Sequence, residues 1–555
     1  MNPSALIPLI VLVPLAGAAF ALAVPHKARA QRGITLGTLG LMVLIAATLV
    51  WASDVHGTLV MEVGGWAAPF GIALVVDRFA ALLLLVSAIV LFAVLTFSIG
   101  QGLADGDEET PVSIFFPTYL VLAAGVSEAF IAGDLFNLYV GFEILLVASY
   151  VLLTLGGTGP RIRAGVTYIV VSLVSSVLFL VSIALVYGAT GTVNMAQLSE
   201  RIGDLSAGMQ LFLNVALLVA FGIKAAIFPL SFWLPDSYPT APAPVTAVFA
   251  GLLTKVGIYA IARTQTLIFP HSSVNDLLLW LAGLTLVVGI LGAIAQLDIK
   301  RLLSFTLVSH IGYLLFGIAL NTPLGYAATT YYIVHHIIVQ TTLFLVVGLI
   351  ERHGGTTSLA RLGGMLRTAP LVAVLFFIPM LNLGGIPPFS GFIGKLGLFT
   401  AAAELGTPGA WWLIGIGALV SLLTLYALAR AWSLAFWRPR GEDATPTGVL
   451  ARLQDAPEAA PQRESRGMPK LMVGSTAGMV AISVLLTVFA GPLVAYSERA
   501  GVVLEDAEKQ TSWYDEHRVD REITGDDSKG DHGAASSEPA QAPEPAPARG
   551  TEDPS

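Results

Sequence analysis

Fourteen apolar runs, each near the ~20 residues that an α-helix needs to cross a bilayer, divide the chain between Met1 and Tyr496. No other feature constrains the fold as strongly. In hydrocarbon every backbone N–H and C=O must find its partner inside the protein, and an α-helix provides this within one segment. Only 12% of the residues are charged, against about 25% in a soluble domain, and 55% are hydrophobic. The expected fold class is therefore an all-α polytopic membrane protein with about 14 transmembrane helices. The seventh run reads as 209–235, the twelfth as 369–403 and the last as 469–496. Cysteine is absent, which excludes disulfides and thiolate metal or redox sites. Met1 to Ser4 carry no basic residue, and Lys27, Arg29 and Arg32 follow the first run, so that run reads as a retained helix and not a cleavable signal.

Basic residues set the expected orientation. Arg161 and Arg163, Lys300 and Arg301, the group Arg352, Arg361 and Arg367, and the group from Arg438 to Lys470 fall on alternate connections together with the first cluster. Those connections are expected to face the cytoplasm, with both termini outside. The net charge of −8 belongs to the tail, where fifteen acidic residues stand against six basic ones from Ser497 onward.

Two runs are interrupted. Pro229 and Pro235 break the seventh, and Gly384-Gly385 with Pro387-Pro388 break the twelfth, five segments later. Breaks at matching positions of two halves point to inverted repeats with an ion path between them. Two inverted five-helix repeats follow, because an odd number of crossings reverses the second unit. The expected division is 1–112 (three helices), 113–265 and 266–437 (the repeats), 438–496 (a cytoplasmic loop and the last helix) and 497–555 (an acidic, largely disordered external tail). The start of that tail reads as a possible surface helix; its Pro- and Ala-rich remainder lacks the apolar residues of a core.

Ionisable residues inside the runs are few. They are Glu143 in the fifth, Lys224 in the seventh, Lys255 in the eighth, His310 in the tenth, His335 and His336 in the eleventh and Lys395 in the twelfth. An ammonium at mid-depth costs about 2.5–3.5 kcal/mol on insertion scales, so each such residue calls for a partner or a function. Lysines near a span end can instead reach the headgroups, but Lys224 and Lys395 lie within two turns of a helix break. Placed near each other, Glu143 and Lys224 would hold one another charged, and changing their separation would gate a proton. His335 and His336, being adjacent, project in different directions, and one of them suits a plain interhelical bond. Glu128, Asp134, Arg263 and Glu404 fall near segment ends. No phosphate loop, dinucleotide fingerprint, metal-ligand spacing or nucleophile motif occurs, so neither covalent catalysis nor a cofactor is expected.

Four blocks carry a resemblance: DLFNLYVGFEILLVASYVLL, GIKAAIFPLSFWLPDSYPTAPAPVTAVFAGLLTKVGIYAI, DIKRLLSFTLVSHIGYLLFGI and LNLGGIPPFSGFIGKLGLF. Together, over about 70–435, they resemble the antiporter-like subunits shared by respiratory complex I, membrane-bound hydrogenases and multisubunit Mrp sodium/proton antiporters. The similarity is greatest to Mrp D-type subunits, on GGWAAPFGIALVVDRFAALLL, GDLFNLYVGFE, YYIVHHIIVQTTLFLVVGLIE and a lysine, Lys395, in the twelfth helix. The resemblance implies discontinuous seventh and twelfth helices and a polar axis at mid-membrane. On that axis Glu143 pairs with Lys224, Lys255 passes protons on, His335 and His336 occupy polar positions, and Lys395 stands near the exit. Gln340 departs from the pattern, standing where relatives commonly carry lysine. The resemblance further implies a bacterial plasma-membrane subunit of a cation/proton antiporter, with A-, B-, C-, E-, F- and G-type membrane subunits as partners. A proton-pumping subunit driven by redox chemistry is the alternative, and a scaffold whose buried charges only fix packing is a third possibility.

Overall fold

The chain crosses back and forth as fourteen apolar segments in a computed structural model that describes residues 3–25, 27–66, 68–102, 112–270, 274–439 and 468–514. The acidic loop after Gln101, the basic stretch from Arg440 to Arg466 and the tail beyond Tyr514 lie outside the described residues. The segments are α1 (Pro3–Leu22), α2 (Ala28–His56), α3 (Arg78–Gln101), α4 (Val112–Ile131), α5 (Leu135–Thr154) and α6 (Gly159–Thr190), followed by α7 (Ala207–Ala225), α8 (Ala243–Ile268), α9 (Asn275–Ile294), α10 (Ile299–Ala319) and α11 (Pro323–Gly354). The twelfth is two short helices, α12a (Pro370–Gly384) and α12b (Ser390–Leu405), and α13 (Pro408–Trp437) and α14 (Lys470–Val488) complete the set. Thirteen of these are long and apolar enough to cross a membrane singly; of the divided twelfth, α12a is apolar but shorter.

Helix starts are fixed by side-chain acceptors for otherwise unpaired N–H groups. Asp77 caps α3 through Ala80 N at 2.9 Å, Asp134 caps α5 through Asn137 N at 2.6 Å, and Asp298 caps α10 through Arg301 N at 3.0 Å. α8 and α11 are buried along their length and α10 nearly so; these three form the centre, while α6, α9, α13 and α14 present apolar side chains outward. A hairpin of β1 (Leu59–Glu62) and β2 (Ala73–Val76) lies on the face that carries the N-terminus.

One bonding pattern occurs twice. Leu135 N donates to Val193 O and Met195 N to Gly133 O, joining the start of α5 to the connection after α6; Ile299 N to Thr357 O and Leu359 N to Leu297 O do the same for α10 and the connection after α11. Asp134 opposite Asn194 becomes Asp298 opposite Ser358, each 164 residues later. Helix crossings repeat at the same interval. A Cβ at Gly125 would stand 2.5 Å from Leu145 N, and one at Gly289 would stand 2.4 Å from Ser309 N, so both crossings depend on glycine.

Both interrupted segments break where prolines stand, but earlier than the prolines themselves. α7 stops at Ala225, ten residues short of the expected end, because Ala226 adopts the left-handed conformation (φ 57°). Pro229 lies in the turn that follows and Pro235 in the short helix Leu234–Ser237. α12a stops at Gly384; Gly385 (φ 80°), Pro387 and Pro388 form the link to α12b.

Beyond α14 the packed body continues past Tyr496. A second helix, α15 (Ala490–Glu505), turns off at Phe489 and lies against the start of α11, where a Cβ on Gly501 would meet Pro323 O at 2.3 Å. Arg499 of α15 bonds both carboxylate oxygens of Asp54, at 2.8 and 2.9 Å, and Tyr496 Oη donates to Arg78 O. Residues 507–514 form a further helical stretch, with Gln510 and Trp513 buried. The protein from 497 to 514 is therefore part of the body and not of a tail.

Candidate functional site

The buried ionisable residues occupy the centre of the bundle, and each meets the chain differently. Glu143, midway along α5, is half-buried, and its Oε1 has no partner within the protein. Lys224, in the last turn of α7, donates from Nζ to Ser176 Oγ at 3.0 Å and approaches Ser172 O at 3.5 Å, with the Phe142 ring 5.6 Å away. The expected ion pair between Glu143 and Lys224 is not formed. The carboxylate lies close enough to act on the ammonium electrostatically, but two serines of α6 occupy the contact positions. Ser172 and Ser176 are four apart and so share one helix face.

Lys255 is completely enclosed. It lies just past a π-helical turn, Phe249–Leu253, and donates to Ala250 O at 2.6 Å. A π turn changes the helical hydrogen-bond register, and here a carbonyl five residues back accepts from the lysine. Gly251 makes room for the neighbouring helix: a Cβ there would be 2.3 Å from Thr341 Oγ1 of α11.

Between Lys255 and Lys395 stand the three histidines. The His310 and His336 rings are 5.3 Å apart, and Tyr332 lies 5.2 Å from His335 and 6.3 Å from His336. As neighbours on α11, His335 and His336 do diverge: His336 faces His310 on α10, whereas His335 Nδ1 lies 3.0 Å from Ser390 Oγ on α12b. Gln340, one turn on from His336, donates to Leu303 O at 2.8 Å, and its Oε1 has no protein partner.

Lys395 closes the row. Its Nζ donates to Leu383 O at 3.0 Å and to Ser421 Oγ at 2.9 Å, and the Tyr313 ring is 5.0 Å away. Leu383 belongs to the last turn of α12a, so the ammonium sits at the carbonyl end of a broken helix, where the helix dipole favours a cation. Asn382 Oδ1 accepts from Ser390 Oγ and Gly391 N, tying the two halves of α12 together. The prolines themselves contact none of these groups by hydrogen bond; they shape the links.

Sequence reasoning does not reach Ser172, Ser176, Ser390, Ser421 and Tyr332, because a hydroxyl barely changes the hydropathy of an apolar run. The four-residue spacing of Ser172 and Ser176 is the one signal that points to them.

A multi-spanning bundle with two broken helices, buried lysines and a histidine cluster points to an ion-translocating membrane subunit of the antiporter-like class. The chain belongs to the family described as the transmembrane region of NADH:quinone oxidoreductase and Mrp antiporters, whose model matches residues 132–424. It is 42% identical over 440 residues to the D-type subunit of the Na(+)/H(+) antiporter of Alkalihalophilus pseudofirmus, covering 79% of this chain and 87% of that one. It is 38% identical over 455 residues to the D-type subunit of the Bacillus subtilis Na(+)/H(+) antiporter, covering 81% and 90%. Among solved structures, a chain of the Mrp complex from Dietzia sp. DQ12-45-1b superposes with a TM-score of 0.81 at 32% identity, covering 92% of this chain and 99% of that one.

Proposed function

We propose that this chain is the proton-translocating subunit of a heteromeric Na+/H+ antiporter of the bacterial plasma membrane, working beside other Mrp-type membrane subunits. Protons pass along Glu143, Lys224, Lys255, His336 with His310, His335 and Lys395. One observation carries the reading: along this row Glu143 Oε1, Thr254 Oγ1, both nitrogens of His310 and His336, His335 Nε2, Tyr332 Oη and Gln340 Oε1 are buried without a protein partner. Buried polar atoms are almost always satisfied by protein or by water, so water is their natural complement, and water between titratable groups conducts protons. Gln340 cannot carry a proton as a lysine does, which leaves the step between Lys255 and Lys395 to the histidines.

The two repeats, α4–α8 and α9–α13, are inverted with respect to each other. The recurring α5/α6 and α10/α11 connections and the paired glycine crossings support this, and the five-helix interval supplies the inversion. Both termini face outward, since Arg161, Arg163, Lys300, Arg301, Arg352, Arg361 and Arg367 lie at the opposite face. Between the antiporter and a redox-driven pump, the two D-type antiporter relatives favour the antiporter. An electrogenic cycle draws about 2.3 kcal/mol per charge for each 100 mV.

The test is sodium-dependent proton movement in everted vesicles from cells that express the whole subunit set. Glu143→Ala and Lys224→Ala abolish it while the complex still assembles. Normal exchange by an assembled variant refutes the relay.

A further inference from the structure

Lys255, Tyr259 and Arg263 follow one another at four-residue steps and so lie on one face of α8, leading from the middle of the bundle towards the face where α1 begins and α14 ends. Each side-chain polar atom of the upper two has a protein partner. Tyr259 Oη donates to Phe130 O at 2.8 Å and accepts from Arg263 Nε at 3.1 Å. A second guanidinium nitrogen pairs with Asp77 Oδ1 at 2.6 Å, and that oxygen also caps α3. The third donates to Gln510 Oε1 at 3.1 Å. The guanidinium carbon lies 5.1 Å from the Tyr259 ring and 5.7 Å from that of Phe79, and the whole cluster is buried. Gln510 is itself held by Thr266 O and Leu504 O, so the stretch 507–514 is fastened over the cluster. A small cleft beside it is lined by Thr58, Asp77, Gly133, Tyr259, Arg263 and Trp513.

This arrangement is the opposite of the relay below it. The Tyr259 proton is committed to a carbonyl, and one lone pair of its oxygen is engaged by arginine. Arg263 stays charged at any accessible pH, and a fixed arginine in a pore raises an electrostatic barrier to protons. We propose that Asp77, Tyr259, Arg263 and Gln510 form a proton seal that insulates Lys255 from the adjacent membrane face, with the 507–514 helix as its lid. The inference rests on the relay reading, since a seal has meaning only if Lys255 carries protons. A relay that runs sideways through Lys255 is coupled to sodium only if protons cannot escape directly from it to the near side.

The purified whole complex, reconstituted with a pH-sensitive dye inside, tests this through sodium-free proton uptake under a potassium-diffusion potential. Removing both charges of the pair, Asp77→Asn with Arg263→Gln, avoids leaving one buried charge alone. Proton uptake rises about tenfold, which corresponds to ~1.4 kcal/mol off a barrier, and falls back when Lys255→Ala is added. Gln510→Ala with Trp513→Ala, which loosens the lid and removes one Arg263 bond but keeps the Asp77–Arg263 pair, gives a smaller rise and decides the question if the first variant does not assemble. Wild-type leak in the assembled variant, or a leak that survives Lys255→Ala, overturns the seal. Failure of the relay is separately visible, because Lys255→Ala alone would then leave sodium-dependent exchange intact.

Discussion

Gly385 offers a way to displace Lys395 without touching it. The residue sits at φ 80°, and a Cβ there would lie 3.1 Å from Lys395 Nζ, Lys395 Cδ and Ser421 Oγ. Gly385→Ala therefore acts twice. The left-handed backbone costs an L-residue about 1–2 kcal/mol, and the methyl pushes the ammonium away from Leu383 O and Ser421 Oγ. Losing one charged hydrogen bond costs about 1.5–3 kcal/mol, which lowers exchange about tenfold to a hundredfold if that placement of Lys395 is required for turnover. Gly406→Ala is the matched control. Gly406 has nearly the same backbone (φ 67°), but its Cβ would meet nothing nearer than 3.8 Å. It bears the strain and spares the lysine. Sodium-dependent proton movement in everted vesicles, divided by the amount of assembled complex on a native gel, separates the two effects: Gly385→Ala loses exchange per complex and Gly406→Ala does not. Equal losses in both, or normal exchange by assembled Gly385→Ala, refute the role given to the Lys395 position.

Two further outcomes are expected. Burial pushes the Asp134 carboxyl from 3.8 up to about 6. The native state thus binds the proton more tightly than the unfolded one, so this contribution, at most about 3 kcal/mol, is present below about pH 4 and is lost as pH rises through about 6; Asp134→Asn, which keeps the helix cap, flattens that part of the thermal stability profile measured by fluorescence-detected size exclusion. Gly125→Ala and Gly289→Ala each drive a methyl onto the backbone of the next helix, at 2.5 and 2.4 Å, and cost about 1–3 kcal/mol by overpacking; Gly478→Ala on α14, which meets nothing within 4 Å, leaves complex abundance on an immunoblot unchanged or higher.

Number and order of the spans are legible in the sequence because the bilayer imposes a length on every apolar run, and even the divided twelfth has apolar halves that sum to one crossing. Where a run stops being helical is not legible. The break in α7 turns on Ala226, whose left-handed backbone no propensity announces, and the seventh run continues apolar beyond it. The packing of α15 is hidden for a different reason: a surface helix is expected from Ser497, but polar residues interleave AGPLVAYSERAGVVLE, so its mean hydropathy falls while it still buries Tyr496, Ala500 and Leu504. In the site, charge betrays Glu143 and the lysines, since burying an ion is costly enough to mark a position. Their contacts depend on how the helices are rotated against one another, and this places Ser172 and Ser176, not Glu143, at the Lys224 ammonium.

The partners of Lys395 and Lys255 explain why irregular helices and buried ammonium groups occur together. An intact helix in oil uses its carbonyls on its own N–H groups and has few to offer a cation. Lys395 takes a carbonyl from the open end of α12a, Lys255 takes one from a π turn, and Lys224 takes a serine hydroxyl with a carbonyl behind it. All are neutral acceptors, which favour an ammonium less strongly than a carboxylate does and still accept from an amine. A carboxylate in contact, of the kind Asp77 offers Arg263 at 2.6 Å, would hold the proton on a lysine in place. In the proposed relay and seal, withholding direct anionic contact from the lysines while granting it to the arginine is what separates the path from the wall. An acidic substitution at Ser176 or Ser421 should therefore stall exchange by trapping the neighbouring ammonium, even though it adds a favourable charge.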